Sequence, residues 1–435
     1  MYHSRGRACS CPHTRKQYAH IINPHPAFST SPHLPTPENR TFARNLSIPM
    51  ATLKVKNVGP IRDAELEVKQ HTIFIGPQGS GKSTLAKLIA IGADEEIVYG
   101  AKINQDIFKK YVLMSYLDGK SYFSFEGNAY TILYENSEVT IRYTEYSNNP
   151  TFGKETFEAF LNDPYNSMNM RAIVHNKDYF DLLLSNFAIK EKILLMVSSY
   201  IPAERTLLST LNNSIWELIH SNVEFPKSIT SFARLYSQNR LKSNGMHISF
   251  LEIDYQNRND IDYIATKGGK ELELAQSASG YQSLIPILVV IEQQRQQSSH
   301  RFIVEEPELN LYPTTQKDLI YALVGGLQPD AKYQDAEWVV TTHSPYVLSA
   351  YNTLMLAYKV AQKSEEHKIE VAKIIPERCW INPDDFVAYY VDNGTVRNIM
   401  DGKTKLIDDN ELDDVSEILA GEQDQLLELN RTIFS

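Results

Sequence analysis

Three cysteines in 435 residues, Cys9, Cys11 and Cys379, are too few and too uneven in number for a disulfide framework, and they suit a reducing, cytoplasmic setting. Cys9, Cys11 and His13 have no second Cys/His pair at zinc-finger spacing, so no structural metal is expected. Long apolar runs are also missing. "YVLMSY" and "LIPILVVI" fall well short of the roughly 18 residues that span a bilayer, which excludes a channel or permease and predicts no membrane partner. Positive charge is not in excess: the formal net charge is −10, against a surface coated for nucleic acid, although a local basic groove remains open. Sustained heptads are absent, which excludes a long coiled-coil arm.

What is present is unevenly spread. Residues 1–50 carry six Lys/Arg against Glu38 alone, and Pro12, Pro24, Pro26, Pro32, Pro35 and Pro37 break any helical period. Residues 1–49 are therefore expected to be a disordered extension, or to precede a true start at Met50, where "MATLKVKNVGPI" begins a clean strand. Residues 401–435 carry ten acids against three bases and read as an acidic helix or tail.

"TLKVKNVGPIRDAELEVKQHTIFIG" predicts three strands with a Gly-Pro turn at 59–60, the last an apolar, buried one. It runs directly into Gly76-Pro77-Gln78-Gly79-Ser80-Gly81-Lys82-Ser83-Thr84 and then the helical "LAKLIAIGA". The glycines let successive backbone N–H groups turn inward on phosphate oxygens, and the helix start adds its positive end. Lys82 supplies a charge between the outer phosphates, and the Ser83 hydroxyl one ligand to Mg²⁺. With strand and helix in place, the loop predicts nucleoside triphosphate binding. No Asn-Lys-x-Asp run is present to read a guanine.

Two further strands end in chemistry. "RFIVEEPELNLYP" closes on Glu305, suited to the Mg²⁺ shell, and Glu306, suited to orienting and deprotonating a water. "EWVVTTHSPYVL" exits at His343, which can bond a terminal phosphate and hold that water. Between the loop and these strands, "SASGYQSLIPILVVIEQQ" places Ser279-Gly280 before a helix whose Leu284, Ile287, Leu288 and Ile291 share a face. Ser279 there reads either as an ordinary N-cap or as an anion site.

This ordered set of motifs resembles the ABC-type ATPases, and "EEPELNLYP" with "TTHSPYVLSAYN" resembles their soluble SMC-like, recombination-repair and OLD-type branch. The resemblance implies an α/β fold: a P-loop ATPase head with a mixed sheet, an antiparallel β subdomain and a helical insertion. It implies ATP and Mg²⁺ as cofactors. Gly76 to Thr84 would hold the nucleotide, Ser83 and Glu305 the metal, and Lys82, Glu306 and His343 the chemistry. Ser279 and Gly280 would reach the nucleotide of a second copy in an ATP-sandwiched homodimer. The signature reads "SASGYQ", so Ala278 or Ser279 is the aligned serine, and slow turnover is expected. The organisation expected is 50–150 and 245–400 as ATPase lobes around an insertion at 151–244.

The phosphate loop stands 204 positions before Gly280, and the added length starts with aromatic-rich strand patterns at 121–146 before turning helical. In "YIPAERT", Arg205 reads either as a nucleotide contact or as a structural salt bridge. "PKSITSFARLYSQNRLK" carries Lys227, Arg234, Arg240 and Lys242 with Phe232 and Tyr236 between them, either a phosphate-backbone contact or a solvated helix face. "FVAYYVDNGTVRNIMD" predicts a hairpin around Asn393-Gly394. The pairs Asp384-Asp385, Asp408-Asp409 and Asp413-Asp414 read as surface, because 92 residues after His343 are too few for a Toprim nuclease domain. The function expected is ATP-driven dimerisation that regulates DNA processing or a partner effector or nuclease, in repair or phage defence. The alternatives are an ATP-stabilised scaffold, a transporter's ATP-binding subunit and a stand-alone nuclease.

Overall fold

Each of three adjacent parallel strands leaves the sheet at the same edge, and each carries one of the motifs above. The computed structural model describes residues 51–94, 106–127, 130–143, 197–211, 214–221, 223, 225–243, 245–297, 300–407 and 421–427. Residues 1–49, the first part of the expected insertion (151–196), and Asp408, Asp409, Asp413 and Asp414 lie outside the described residues.

Strands β1 (Ala51–Val58) and β2 (Ile61–Val68) form the hairpin expected around Gly59-Pro60, and β3 (His71–Ile75) feeds the phosphate loop and α1 (Lys82–Gly92). After α2 (Asp106–Lys110), strands β4 (Tyr122–Gly127), β5 (Tyr130–Glu135) and β6 (Glu138–Tyr143) extend the hairpin into an antiparallel sheet of order β2-β1-β4-β5-β6. There follow β7 (Val197–Ile201), α3 (Thr206–Leu211), α4 (Ser214–His220) and α5 (Lys227–Lys242). Strands β8 (Met246–Ile248), β9 (Ile253–Arg258), β10 (Ile261–Thr266) and β11 (Glu271–Glu273) make a second antiparallel sheet.

The C-terminal half alternates: α6 (Ser279–Gln297), β12 (His300–Glu305), α7 (Pro313–Gly325), β13 (Ala336–Thr342), α8 (Pro345–Ala361), α9 (Glu365–Ile374), β14 (Phe386–Asp392) and β15 (Thr395–Asn398). The central sheet has order β15-β14-β3-β13-β12-β7 and is parallel except for the β14–β15 hairpin. The hairpin turns at Asn393 and Gly394, both with positive φ, as the Asn-Gly pair predicted. The fold is α/β, a mixed sheet flanked by antiparallel sheets and helices.

The near-continuous apolar strands exist because both faces of the central sheet are covered. Alternate side chains split between two cores. Ile73, Phe302, Val304, Trp338, Val340 and Phe386 pack on the side of α6, α7 and α8. Phe74, Ile303, Val339 and Val387 pack on the side of α1 and the β1–β6 sheet. Burial on both faces fixes the register, since a slip of one residue would exchange every side chain between cores. That register sets Ile75 beside Thr342 and Glu305 beside Thr341, so the three motif-bearing exits lie side by side. Ligand sites of parallel α/β sheets form at this carboxyl edge.

Candidate functional site at the strand exits

The phosphate loop is built by backbone freedom at its glycines. Gly76, Gly79 and Gly81 all have positive φ, and at Gly76 a Cβ would lie 2.2 Å from the Val391 carbonyl oxygen. Glycine there lets the loop pass against the end of β14. Gly81 caps α1 in the left-handed region with no side-chain cap, leaving the first-turn N–H groups for an anion. Pro77, Gln78 and Gly79 are exposed, whereas Ser80, Lys82 and Thr84 are buried and Ser83 is half-buried.

Lys82 Nζ donates to the Gly76 and Pro77 carbonyls at 3.0 and 2.8 Å. Burial pulls its ammonium down to about 8, against the upward pull of Glu306, Glu308 and Glu305. The lysine thus satisfies itself on its own loop, and a phosphate would replace those carbonyls with a charged acceptor.

Glu305 and Glu306 are neighbours with opposite surroundings. Glu305 is 4% exposed, and burial raises its carboxyl above the ordinary range, offset in part by Lys87 and by hydrogen bonds from Tyr200 and Ser83. Its Oε1 is buried with no partner. Glu306 is half-buried, and the His343 hydrogen bond holds its carboxylate below the usual range. His343 Nε2 stands 3.4 Å from Glu306 Oε1. The Glu306 backbone is left-handed, with φ 43°, a conformation costing a non-glycine residue about 1–3 kcal/mol.

Glu308 was not singled out from sequence, yet it organises the exit of β13. Its Oε1 accepts from Thr342 Oγ1 at 2.7 Å and from the His343 N–H at 2.8 Å. Burial raises its carboxyl, and its Oε2 is unpartnered. The signal available was weak: one more acid in a turn-like "EEPELN" run.

Arg205 settles neither of the two roles expected of it. It is fully buried and bonds carbonyls rather than a carboxylate: Pro202 at 3.1 Å, Ser283 at 3.0 Å, Glu305 at 2.7 Å and Glu306 at 2.6 Å. In place of a salt bridge, the guanidinium finds the backbone of the glutamate turn.

Ser279 and Gly280 open α6, as the helix pattern predicted. The Ala278 carbonyl accepts from the Tyr281 and Gln282 N–H groups, and a Cβ on Gly280 would stand 3.0 Å from the Asn310 carbonyl oxygen. The start of α6 therefore packs against the loop that follows Glu308.

The aromatic interleaving on α5 is a correction. Phe232 and Tyr236 are buried with Ile229 and Ala233, and Arg240 is paired with Asp262 at 3.1 Å. Lys227, Arg234 and Lys242 are exposed. The aromatics serve the core, so the helix offers no base-stacking platform.

Beside the phosphate loop lies a cavity of about 420 Å³, walled by Pro60 of the β1–β2 turn, Arg62 of β2, and Asp392, Asn393 and Gly394. Arg62 donates to the Asn393 carbonyl, and the Arg62 N–H bonds the Gly394 carbonyl at 2.8 Å, tying the two sheets together at the cavity.

Residues 188–348 are similar to the AAA ATPase domain family. That span holds Arg205, the start of α6, both glutamates and His343, and stops short of the phosphate loop on its N-terminal side. Among solved structures, the Smc head domain with an extended coiled coil bound to the C-terminal domain of ScpA, from Pyrococcus furiosus, matches at 12% identity and a TM-score of 0.37. The match covers 86% of this chain and 98% of that one. The SMC head domain from Thermotoga maritima matches at 12% identity and a TM-score of 0.32, covering 80% and 97%. An SmcHead bound to the C-winged helix domain of ScpA matches at 10% identity and a TM-score of 0.36, covering 80% and 96%. No curated protein matches the chain in sequence. Among the described residues, no helix is long and apolar enough to cross a membrane.

Proposed function

We propose that the chain binds ATP with Mg²⁺ and hydrolyses the terminal phosphate, using the lobes expected at 50–150 and 245–400 together with β7 (Val197–Ile201), which pairs with β12 in the central sheet and so corrects the 151–244 bounds of the insertion. One observation carries the reading: three adjacent strand exits bring Lys82 and Ser83, the Glu305–Glu306 pair and His343 to one sheet edge, with Glu306 in contact with His343.

The residues fit a magnesium ion. Glu305 Oε1 is a buried carboxylate oxygen with no partner, and the Ser83 hydroxyl bonds the same carboxylate. A hard cation with few protein ligands, completed by phosphate and water oxygens, suits such a pair. When bound, the ion would neutralise charge on the outer phosphates. The protein's own groups do the rest. The loop N–H groups and Lys82 cradle the phosphates, Glu306 orients a water and takes its proton, and His343 steadies Glu306 and the terminal phosphate. The adenine and ribose take the cavity beside Arg62 and the Asn393-Gly394 turn, which is large enough for a nucleoside and lies against the loop.

In the finer reading, Ser279 and Gly280 complete the site of a second copy, and ATP holds two chains together to regulate DNA processing or a partner effector or nuclease. On α5 any DNA contact falls to the exposed Lys227, Arg234 and Lys242, acting on phosphates. Hydrolysis and solution mass with and without ATP and DNA test this reading. ATP-dependent doubling of mass with turnover that responds to DNA supports it, and mass indifferent to ATP removes the sandwich dimer.

A further inference from the structure

We infer that Arg205 is a positioning residue that sets the backbone of Glu306 and ties it to the first turns of α6. The inference rests on the ATPase reading and adds to it a mechanical link between the two halves of the composite site.

The guanidinium has five N–H donors in a rigid fork, and four carbonyl contacts are made from it. Nη2 holds the Glu306 carbonyl, whose residue carries the left-handed φ that turns its side chain toward His343. Nη1 holds the Glu305 and Pro202 carbonyls. Nε reaches the Ser283 carbonyl, one turn into α6 from Ser279.

The sequence explains why one helix carbonyl, next to the one Arg205 holds, is free. Pro286 lies inside α6 and has no N–H to give the Gln282 carbonyl. Ser209 Oγ takes that carbonyl at 2.8 Å, and Arg205 takes its neighbour on Ser283. A second contact runs the same way, since Gly280 packs on the Asn310 carbonyl in the loop after Glu308. A displacement of the α6 start, where a partner's nucleotide docks under the reading above, therefore reaches the Glu306 turn through one guanidinium and one tight backbone contact. Among the described residues no carboxylate pairs directly with Arg205, so its place is fixed by backbone geometry rather than by charge pairing.

Arg205→Lys and Arg205→Gln in the full chain test this. Binding of a fluorescent ATP analogue, kcat per analogue-binding site, KM and melting temperature are measured together. The expected result is a kcat about a hundredfold lower with KM and analogue affinity near wild type, because an ångström-scale shift of Glu306 harms only the reacting geometry. An unchanged kcat in both variants, or a raised KM at unchanged kcat, overturns the inference; the second outcome would make Arg205 a nucleotide contact. If neither variant folds, hydrogen exchange of the wild-type monomer decides. The inference requires peptides covering Ser279–Ile291 and Glu305–Asn310 to gain protection together on adding the analogue, and independent responses overturn it. Wild-type protein that binds no ATP overturns the ATPase reading itself, whereas turnover retained by both variants overturns the Arg205 role alone.

Discussion

Two buried arginines, 35 positions apart, are held in different ways. Arg240, on α5, meets a carboxylate: Asp262 on β10 accepts from it, and also from Tyr236 at 2.8 Å, Tyr255 at 2.7 Å and Asn257 at 2.7 Å. Donors from four residues converge on one anion, the arrangement that makes a buried charge tolerable. Among the described residues Arg205 hydrogen-bonds carbonyls alone, and burial lowers its guanidinium to about 10. Four neutral acceptors compensate a buried cation less well than a carboxylate does. The α5 joint is built to hold a helix on a sheet. The Arg205 joint keeps a less compensated charge to fix the backbone of a turn, and that turn carries the candidate chemistry.

The sharpest way to break this comparison is at Asp262. Asp262→Ala removes the carboxylate on which Arg240, Tyr236, Tyr255 and Asn257 converge, and folding stability should drop by about 3–5 kcal/mol in denaturant titration. Turnover per folded molecule should be unchanged. A loss of turnover at unchanged stability would erase the distinction between the two joints. Arg205→Lys should do the reverse, with kcat down about a hundredfold, or about 2.7 kcal/mol of transition-state stabilisation, and little change in melting temperature.

A smaller effect is expected at Glu308. Glu308→Ala removes the acceptor of the Thr342 hydroxyl and the His343 N–H, and should cost about 1–3 kcal/mol of stability. kcat should fall more than KM rises, since His343 loses its register against Glu306. A change confined to KM would place Glu308 in binding.

His71 offers the mildest test, away from the strand exits. It is buried against Tyr351 and Phe386, and burial lowers its imidazole to about 3. The unfolded chain binds its proton near pH 6.5 and the folded chain does not, so stability from this group is complete above pH 6.5. It is lost progressively as the pH falls toward 3, by about 2 kcal/mol at pH 5. His71→Phe should flatten that part of the stability-versus-pH curve. A curve of unchanged slope would mean that the imidazole is not buried in its neutral form.

Much of the architecture was legible because its signals are local. The glycine spacing before Lys82 fixes a loop whatever surrounds it, and Asn393-Gly394 specifies its own hairpin. The Glu305–Glu306 pair and His343 were marked because each ends an apolar strand, and the parallel pairing of β12 with β13 brings those ends together. Arg205 was marked by its motif but its bonding was not, because its partners are backbone carbonyls, which every residue has and no sequence pattern marks. Glu308 escaped for a related reason: one of its two donors is a main-chain N–H. Phe232 and Tyr236, expected on a phosphate-contacting or solvated face, are core residues, and the helical period shows why. Ile229, Phe232, Ala233, Tyr236 and Arg240 fall on one helical face, and that face is the buried one.

The most direct test of the central claim compares wild type with Glu306→Gln for ATP-analogue binding and ATP hydrolysis in the presence of Mg²⁺. The account predicts equal analogue affinity, with turnover in the variant lower by about 10²–10⁴-fold. Equal turnover in the two proteins, or no analogue binding by either, would contradict it.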